Sequence, residues 1–175
     1  MNTDKHVGLI GLGIMGSAIA PNLIAAGFRV TGFDINAGRC AVNAQAGVEI
    51  AATADEVVAS AGTILTSLPH EASLAETVRA IVTAGVKRRT IIEMSTMSID
   101  SKMAAESSLS DAGHVMLDCP LSGTGAQAVN KDLTVYASGN SAAIAACETI
   151  FNGFAKAYFD LDIVEQAWCG LAYSY

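Results

Sequence analysis

The chain has 175 residues, of which 51% are hydrophobic and 15% charged, so it is long enough to bury one domain core and too apolar to be disordered. Its net charge of −7 argues against DNA, RNA or an anionic membrane as a partner. No apolar run approaches the roughly 18–20 residues that a membrane-spanning helix needs.

Predicted strands alternate with predicted helices along the chain. This alternation implies right-handed crossovers and a mostly parallel sheet with helices on both faces, which is a Rossmann-type doubly wound α/β fold. The predicted strands are 6–10, 29–33, 63–68, 90–94, 114–118, 133–137 and 157–159, with 48–50 as either a short strand or an extended link. The predicted helices are 17–26, 37–46, 53–59, 72–84, 98–111 and 141–151.

A glycine turn, Gly11-Leu12-Gly13-Ile14-Met15-Gly16, joins the first strand to the first helix. In this context G-x-G-x-x-G is typical of dinucleotide binding, because the glycines permit the tight turn, the approach of a pyrophosphate and close helix packing. The helix N-terminus then offers N–H groups to the phosphates. The pattern predicts NAD as cofactor; the alternative is a tight turn that binds nothing.

Asp34 ends the second strand, about 20 residues after the glycine turn, where an NAD-binding fold places its ribose-binding carboxylate. It is predicted to bind the ribose hydroxyls and to repel the 2′-phosphate of NADP. Arg39, about one helical turn later, is the residue that favours NADP instead. An ordinary strand-end aspartate is the alternative.

Three further segments fall at the carboxyl ends of strands, where parallel sheets bind ligands. They are Leu68-Pro69, Ser95-Thr96 and Ser122-Gly123. Each has a plain alternative: a strand-breaking proline, a helix cap and a turn.

Taken together, four motifs resemble the β-hydroxyacid dehydrogenase family, which includes 3-hydroxyisobutyrate dehydrogenase. They are the glycine turn with Ala20-Pro21-Asn22-Leu23, then Ser67-Leu68-Pro69, Met94-Ser95-Thr96, and Asp118 to Gly123. The resemblance covers residues 6 to about 160 and implies an NAD-binding domain within 1–160. It implies that Leu68, Pro69 and Thr96 lie along the cofactor, and that Ser122, Gly123 and Thr124 bind a small hydroxyacid substrate.

The sequence departs from the family pattern at three places. Thr124 replaces the second glycine of the substrate loop, and Lys131-Asp132-Leu133 replaces a later G-T-L. The family continues into a catalytic lysine and a helical domain, whereas residues 161–175 are expected to form only a tail and the last lysine is Lys156. No catalytic residue is therefore assigned, and the chain alone is expected to be incompetent in catalysis.

Three functional hypotheses follow. The chain is the NAD-binding domain of a 3-hydroxyacid dehydrogenase, a non-catalytic NAD-binding or protein-interaction module, or a domain completed by another polypeptide. Self-association is expected through apolar surface near Trp168, Leu171 and Tyr173.

The remaining candidates are expected to be structural. His70 is expected to be an exposed loop histidine, with contact to the cofactor as the alternative because it follows Pro69 at a ligand-facing strand end. His6 and His114 open strands, and Glu93 and Asp118 are expected to be hydrogen-bonded acids rather than catalytic bases.

The cysteine pattern bears on location and metals. Four cysteines without a C-x-x-C pair predict no zinc site and no disulfide framework. Cys119 is expected to be packed rather than reactive. The polar start of the chain predicts no signal peptide, and reduced thiols favour a cytoplasmic location.

Overall fold

The computed structural model describes residues 5–161 of the chain. Residues 162–175, which hold most of the predicted tail with Trp168, Leu171 and Tyr173, lie outside this range. The strands are β1 (His6–Ile10), β2 (Arg29–Phe33), β3 (Glu49–Ile50), β4 (Thr63–Thr66), β5 (Thr90–Glu93), β6 (Val115–Asp118), β7 (Leu121–Ser122), β8 (Thr134–Ala137) and β9 (Ala157–Asp160). The helices are α1 (Ile14–Ala25), α2 (Ala37–Gln45), α3 (Ala54–Ser60), α4 (Glu71–Thr83), α5 (Ile99–Asp111), α6 (Gly125–Val129), α7 (Ser141–Ala146) and α8 (Glu148–Phe154).

The main sheet has six strands in the order β3-β2-β1-β4-β5-β6, and every neighbouring pair is parallel. The chain runs outward from β1 to β3, returns to β4 and runs outward to β6. The direction of winding therefore reverses between β1 and β4, and such a reversal opens a crevice at the carboxyl ends of the strands. The predicted Rossmann-type doubly wound fold is confirmed.

Hydrophobic clusters cover both faces of this sheet. Neighbouring residues on one strand belong to opposite clusters, as Ile64 and Leu65 do on β4, because side chains alternate across a sheet. Leu65 shares its cluster with residues of α1 and α8, whereas Ile64 packs with α3, α4 and α5. Strands buried on both faces explain the apolar runs in the sequence.

A second sheet of three strands, in the order β7-β8-β9, follows the main one. Strand β7 is antiparallel to β8, and β9 is parallel to β8. Strands β8 and β9 were predicted from the sequence, whereas β7 and α6, which have only two and five residues, were not. An antiparallel bridge between Asp118 and Ser138 connects the end of β6 to this sheet.

Two predicted boundaries were wrong in ways that matter for the site. Helix α1 begins at Ile14 rather than at Ser17, so the second half of the glycine turn is already helical. The hydroxyl of Ser17 donates to the Leu12 carbonyl oxygen at 2.7 Å, which fastens the first turn of the helix. The predicted helix 141–151 is interrupted at Cys147, which both ends α7 and precedes α8.

Within residues 5–161, no helix combines the length and the apolar character needed to cross a bilayer.

Candidate functional site

A cleft of about 410 Å³ lies at the point where the winding of the sheet reverses. Its walls come from the β1–α1 turn, the end of β2, the segment after β4 and the first turns of α4. Among the predicted site residues, Gly11, Gly13, Ile14, Met15, Asp34, Leu68 and Pro69 line it. Leu12 and Gly16 are buried beneath the turn. The cleft therefore brings together residues from three separate sequence motifs.

The glycine turn tolerates no side chain at its two ends. Gly11 has a φ of +95°, and a β carbon there would collide with the carbonyl oxygen of Ser67. A β carbon on Gly16 would collide in the same way with the carbonyl oxygen of Gly11. At Gly13, by contrast, the nearest atom to a β carbon would be Nη1 of Arg39, at 3.9 Å. Sterics thus require glycine at both ends, while Gly13 leaves open space in the cleft wall.

The N-terminus of α1 suits an anionic group. Gly13 is the N-cap residue, no side chain caps the helix, and its first turn contains no acidic residue. The N–H groups of the first turn of a helix lack partners within the helix and carry partial positive charge. The uncapped turn and the open space at Gly13 fit the pyrophosphate of a dinucleotide.

Asp34 holds the turn from the neighbouring strand. One carboxylate oxygen accepts a hydrogen bond from the Leu12 N–H at 2.9 Å, and the other accepts one from the Asn36 N–H at 2.8 Å. The guanidinium of Arg39 lies 3.4 Å from the same carboxylate, with its own side chain about half exposed. Arg39 donates to the same oxygen as the Leu12 N–H, whereas the oxygen that accepts from Asn36 has a second lone pair with which Asp34 can accept a hydrogen bond from a ligand.

The Leu68-Pro69 segment forms the opposite wall, and a buried serine holds it. The Leu68 N–H donates to Oγ of Ser95 at 2.8 Å. Ser95 is therefore not the N-cap of α5, a role that Ser98 fills. His70 lines the cleft and is exposed, and its Nδ1 accepts from the Ser73 N–H as the N-cap of α4.

Behind Ser95 lies a buried ion cluster that the sequence analysis missed, formed by Glu93, Lys102 and Asp118. The Lys102 ammonium donates to a Glu93 carboxylate oxygen and, at 2.5 Å, to Asp118. The side chains of Lys102 and Glu93 are fully buried and that of Asp118 is 1% exposed. The expectation that both acids are hydrogen-bonded is confirmed.

The electrostatics of the cluster keep the lysine charged. Burial by itself would lower the pKa of Lys102, but the two neighbouring carboxylates outweigh burial and the pKa is raised. A signal for this cluster is present in the sequence. Lys102 lies on the same helix face as Ala105 and Leu109, and a lysine on an apolar stripe must find an acidic partner.

The remaining predicted site residues lie outside the lining of the cleft. Thr96 is exposed, as are Ser122, Gly123 and Thr124. Thr124, predicted to bind the substrate, is the N-cap of α6: its N–H donates to the Gln127 side chain at 2.9 Å, and its hydroxyl oxygen accepts the Gln127 N–H. The loop nevertheless approaches the cleft, since a β carbon on Gly125 would lie 2.6 Å from the Ile14 side chain.

Other reactive groups in the described region are packed away. Cys119 is fully buried, and burial raises the pKa of its thiol well above the ordinary value, so it is packed as expected. Burial also raises the pKa of Cys147, to about 11. His114, buried at the start of β6, accepts from the Arg89 N–H, and burial lowers its pKa. Residues 5–161 contain no group of three or more metal-ligating side chains.

Comparison with known proteins identifies the family. Residues 6–166 match the family described as the NAD binding domain of 6-phosphogluconate dehydrogenase. The chain is 31% identical over 153 residues to mitochondrial 3-hydroxyisobutyrate dehydrogenase of Drosophila melanogaster, covering 87% of this chain and 47% of that protein. It is 29% identical over 168 residues to the cytokine-like nuclear factor N-PAC of Pongo abelii, covering 94% of this chain and 30% of that protein.

Solved structures give the same result. The 3-hydroxyisobutyrate dehydrogenase of Mycobacterium tuberculosis, determined with L-serine, superposes with a TM-score of 0.87 at 25% identity, over 90% of this chain and 54% of that one. The 3-hydroxyisobutyrate dehydrogenase of Salmonella typhimurium superposes with a TM-score of 0.82 at 26% identity, over 90% of this chain and 56% of that one. The chain thus spans about half the length, or less, of the relatives it matches. The match over residues 6–166 shows that the chain belongs to the family of NAD-binding domains described for 6-phosphogluconate dehydrogenase, and its dehydrogenase relatives confirm the resemblance drawn from the four motifs.

Proposed function

We propose that NAD binds in the cleft, with its pyrophosphate on the N-terminus of α1 and its adenosine ribose on Asp34. The observation that carries this placement is the uncapped first turn of α1, which opens at Gly13 into the cleft. Leu68 and Pro69 form the facing wall. Thr96 lies further along the same sheet edge, where we place the nicotinamide ribose.

We expect the chain to prefer NADH over NADPH by about tenfold, because the buried Asp34 carboxylate repels a 2′-phosphate. Calorimetric titration of both cofactors checks this preference. In an Arg39→Ala variant the affinity for NADPH falls further while that for NADH changes little, since the guanidinium is the positive group nearest Asp34. Tighter binding of NADPH than NADH by the unaltered chain would show that Arg39 governs the pocket.

We further propose that the protein to which this domain belongs is an oxidoreductase acting on a small 3-hydroxyacid. NAD supplies a hydride acceptor for the hydroxyl-bearing carbon. Support comes from the dehydrogenase relatives and from the position of Gly125, which directly follows the Ser122–Thr124 loop and lies against Ile14 in the lining of the cleft. Ser122 and the Gly123 N–H are proposed to bind the substrate carboxylate, with Thr124 joining them if its N–H exchanges Gln127 for substrate.

The purified 175-residue chain is expected to bind NADH and yet turn over hydroxyacids very slowly. No lysine lines the described cleft, Lys102 is buried and Lys156 is paired with Asp132. Proton transfer by a positioned side chain typically contributes about 10²- to 10⁴-fold. The measurement is a steady-state NAD-reduction assay with 3-hydroxyisobutyrate, glycerate and threonate.

A turnover number of about 1–10³ per second, the ordinary enzyme range, would contradict this expectation. In that case Lys131, which is exposed and follows the Ser122–Thr124 loop in the sequence, is the first candidate for the general acid. The turnover number of a Lys131→Met variant identifies or excludes it. Binding of NADH without turnover by the longer protein to which this domain belongs would favour the non-catalytic module instead.

A further inference from the structure

The buried ion cluster lies directly behind the cleft wall. Glu93 ends β5 and Asp118 ends β6, so both acids lie at the carboxyl edge of the sheet. Lys102, in the first turns of α5, reaches between them and bonds to both. The ammonium therefore connects the ends of two strands that each lead into a predicted ligand-binding segment.

A chain of hydrogen bonds runs from this cluster to the cleft. The second carboxylate oxygen of Glu93 accepts the Ser95 N–H at 2.9 Å. Ser95 Oγ in turn accepts the Leu68 N–H at 2.8 Å, and Leu68 lines the cleft. Two side chains, those of Glu93 and Ser95, thus separate the ammonium from the cleft wall. Each of them is buried, which limits the positions open to the Leu68 backbone.

Stability alone does not account for such a cluster. Burying three charges costs desolvation free energy, and replacing a whole buried ion cluster with well-packed hydrophobic residues of similar volume is often neutral or stabilising. The two carboxylates also outnumber the single ammonium. A cluster that gives little net stability can still hold neighbouring groups in one geometry.

We propose that Lys102 is a positioning residue: its ammonium holds the Glu93 carboxylate, which fixes the cleft wall at Leu68 through Ser95. This inference rests on the proposed placement of NAD. Lys102 touches no ligand, and it acts through Glu93 and Ser95. Removing the ammonium frees Glu93, so the Ser95 hydroxyl and the Leu68 wall lose their fixed position.

The test compares Lys102→Met with Leu109→Ala in NADH affinity and in amide chemical shifts. Leu109 is fully buried on the same face of α5, about two turns away, so its truncation weakens the helix without touching the cluster. We expect Lys102→Met to weaken NADH binding by roughly ten- to a hundredfold, the range seen when residues supporting a metal site are removed. We expect it also to move the amide signals of Leu68 and Ser95, and Leu109→Ala to do neither.

Equal NADH affinity in Lys102→Met and the unaltered chain, or an equal loss in Leu109→Ala, would overturn the inference. If Lys102→Met does not fold, a neutral triple variant, Glu93→Gln with Lys102→Met and Asp118→Asn, takes its place with the same expected losses. If the unaltered chain binds no NADH, the proposed function fails. The Leu68 and Ser95 amide signals then still decide whether Lys102 positions the wall.

Discussion

Replacing Lys102 with methionine is expected to lower the free energy of unfolding at pH 7 by about 3–5 kcal/mol, the cost of leaving one side of a buried ion pair uncompensated. Methionine is unbranched and only one heavy atom shorter than lysine, so the loss comes mainly from the charge rather than from a cavity. Glu93 and Asp118 then remain buried at the ends of adjacent strands without a cation. Urea unfolding at an unchanged m-value measures this loss.

The contribution of Lys102 to the free energy of unfolding depends on pH with a definite sign. The pKa of Lys102 is raised above its ordinary value of 10.5, so the stability it contributes is complete below about pH 10.5 and is lost as pH rises through the folded value. The difference in the free energy of unfolding between the unaltered chain and Lys102→Met therefore shrinks in strong alkali.

Lys156→Met is the matched control. Lys156 also donates to a carboxylate, that of Asp132 at 2.9 Å, but its side chain is 71% exposed. Surface ion pairs contribute little because water screens them. A loss in Lys102→Met no greater than that in Lys156→Met would mean that the cluster is not buried as described.

Much of the fold could be predicted from the sequence because the main sheet is buried on both faces. Strands such as His6–Ile10 and Arg29–Phe33 appear as short apolar runs, and the helices between them carry recognisable caps. Thr53, with which the predicted helix 53–59 begins, is the N-cap of α3 and accepts the Glu56 N–H. The Glu56 side chain accepts the Ala52 N–H in return.

What could not be predicted depends on tertiary contacts. Strand β7 has two residues and is a strand only because Leu121 and Ser122 pair with β8. The second sheet separates β8 and β9 from the main one, and no periodicity in the sequence encodes that separation.

The candidate site likewise contains residues that local sequence signals predict and residues whose roles depend on tertiary contacts. The glycine turn and Asp34 are local signals with fixed spacing, and the structure places them side by side, since the Leu12 N–H donates to Asp34. Lys102 is different. Its partners lie 9 and 16 residues away, so its role is set by the register of two strands against a helix.

Replacing Gly13 with valine is expected to weaken NADH binding by about 10- to 100-fold, as expected for steric overpacking of about 1–3 kcal/mol. The fold should tolerate the change. Gly13 has a φ of −72°, which other residues adopt, and a β carbon there approaches only Arg39 Nη1, at 3.9 Å. The added side chain enters the space proposed for the pyrophosphate. Gly62→Val is the matched control, because a β carbon on Gly62 has no neighbour within 4 Å and Gly62 does not line the cleft.

Calorimetric titration of NADH into the unaltered chain, Gly13→Val and Gly62→Val tests the central claim most directly, with circular dichroism confirming that each is folded. The placement of NAD on the glycine turn predicts equal affinities for the unaltered chain and Gly62→Val, and a clear loss in Gly13→Val. A folded Gly13→Val variant that binds NADH as tightly as the unaltered chain would contradict that placement.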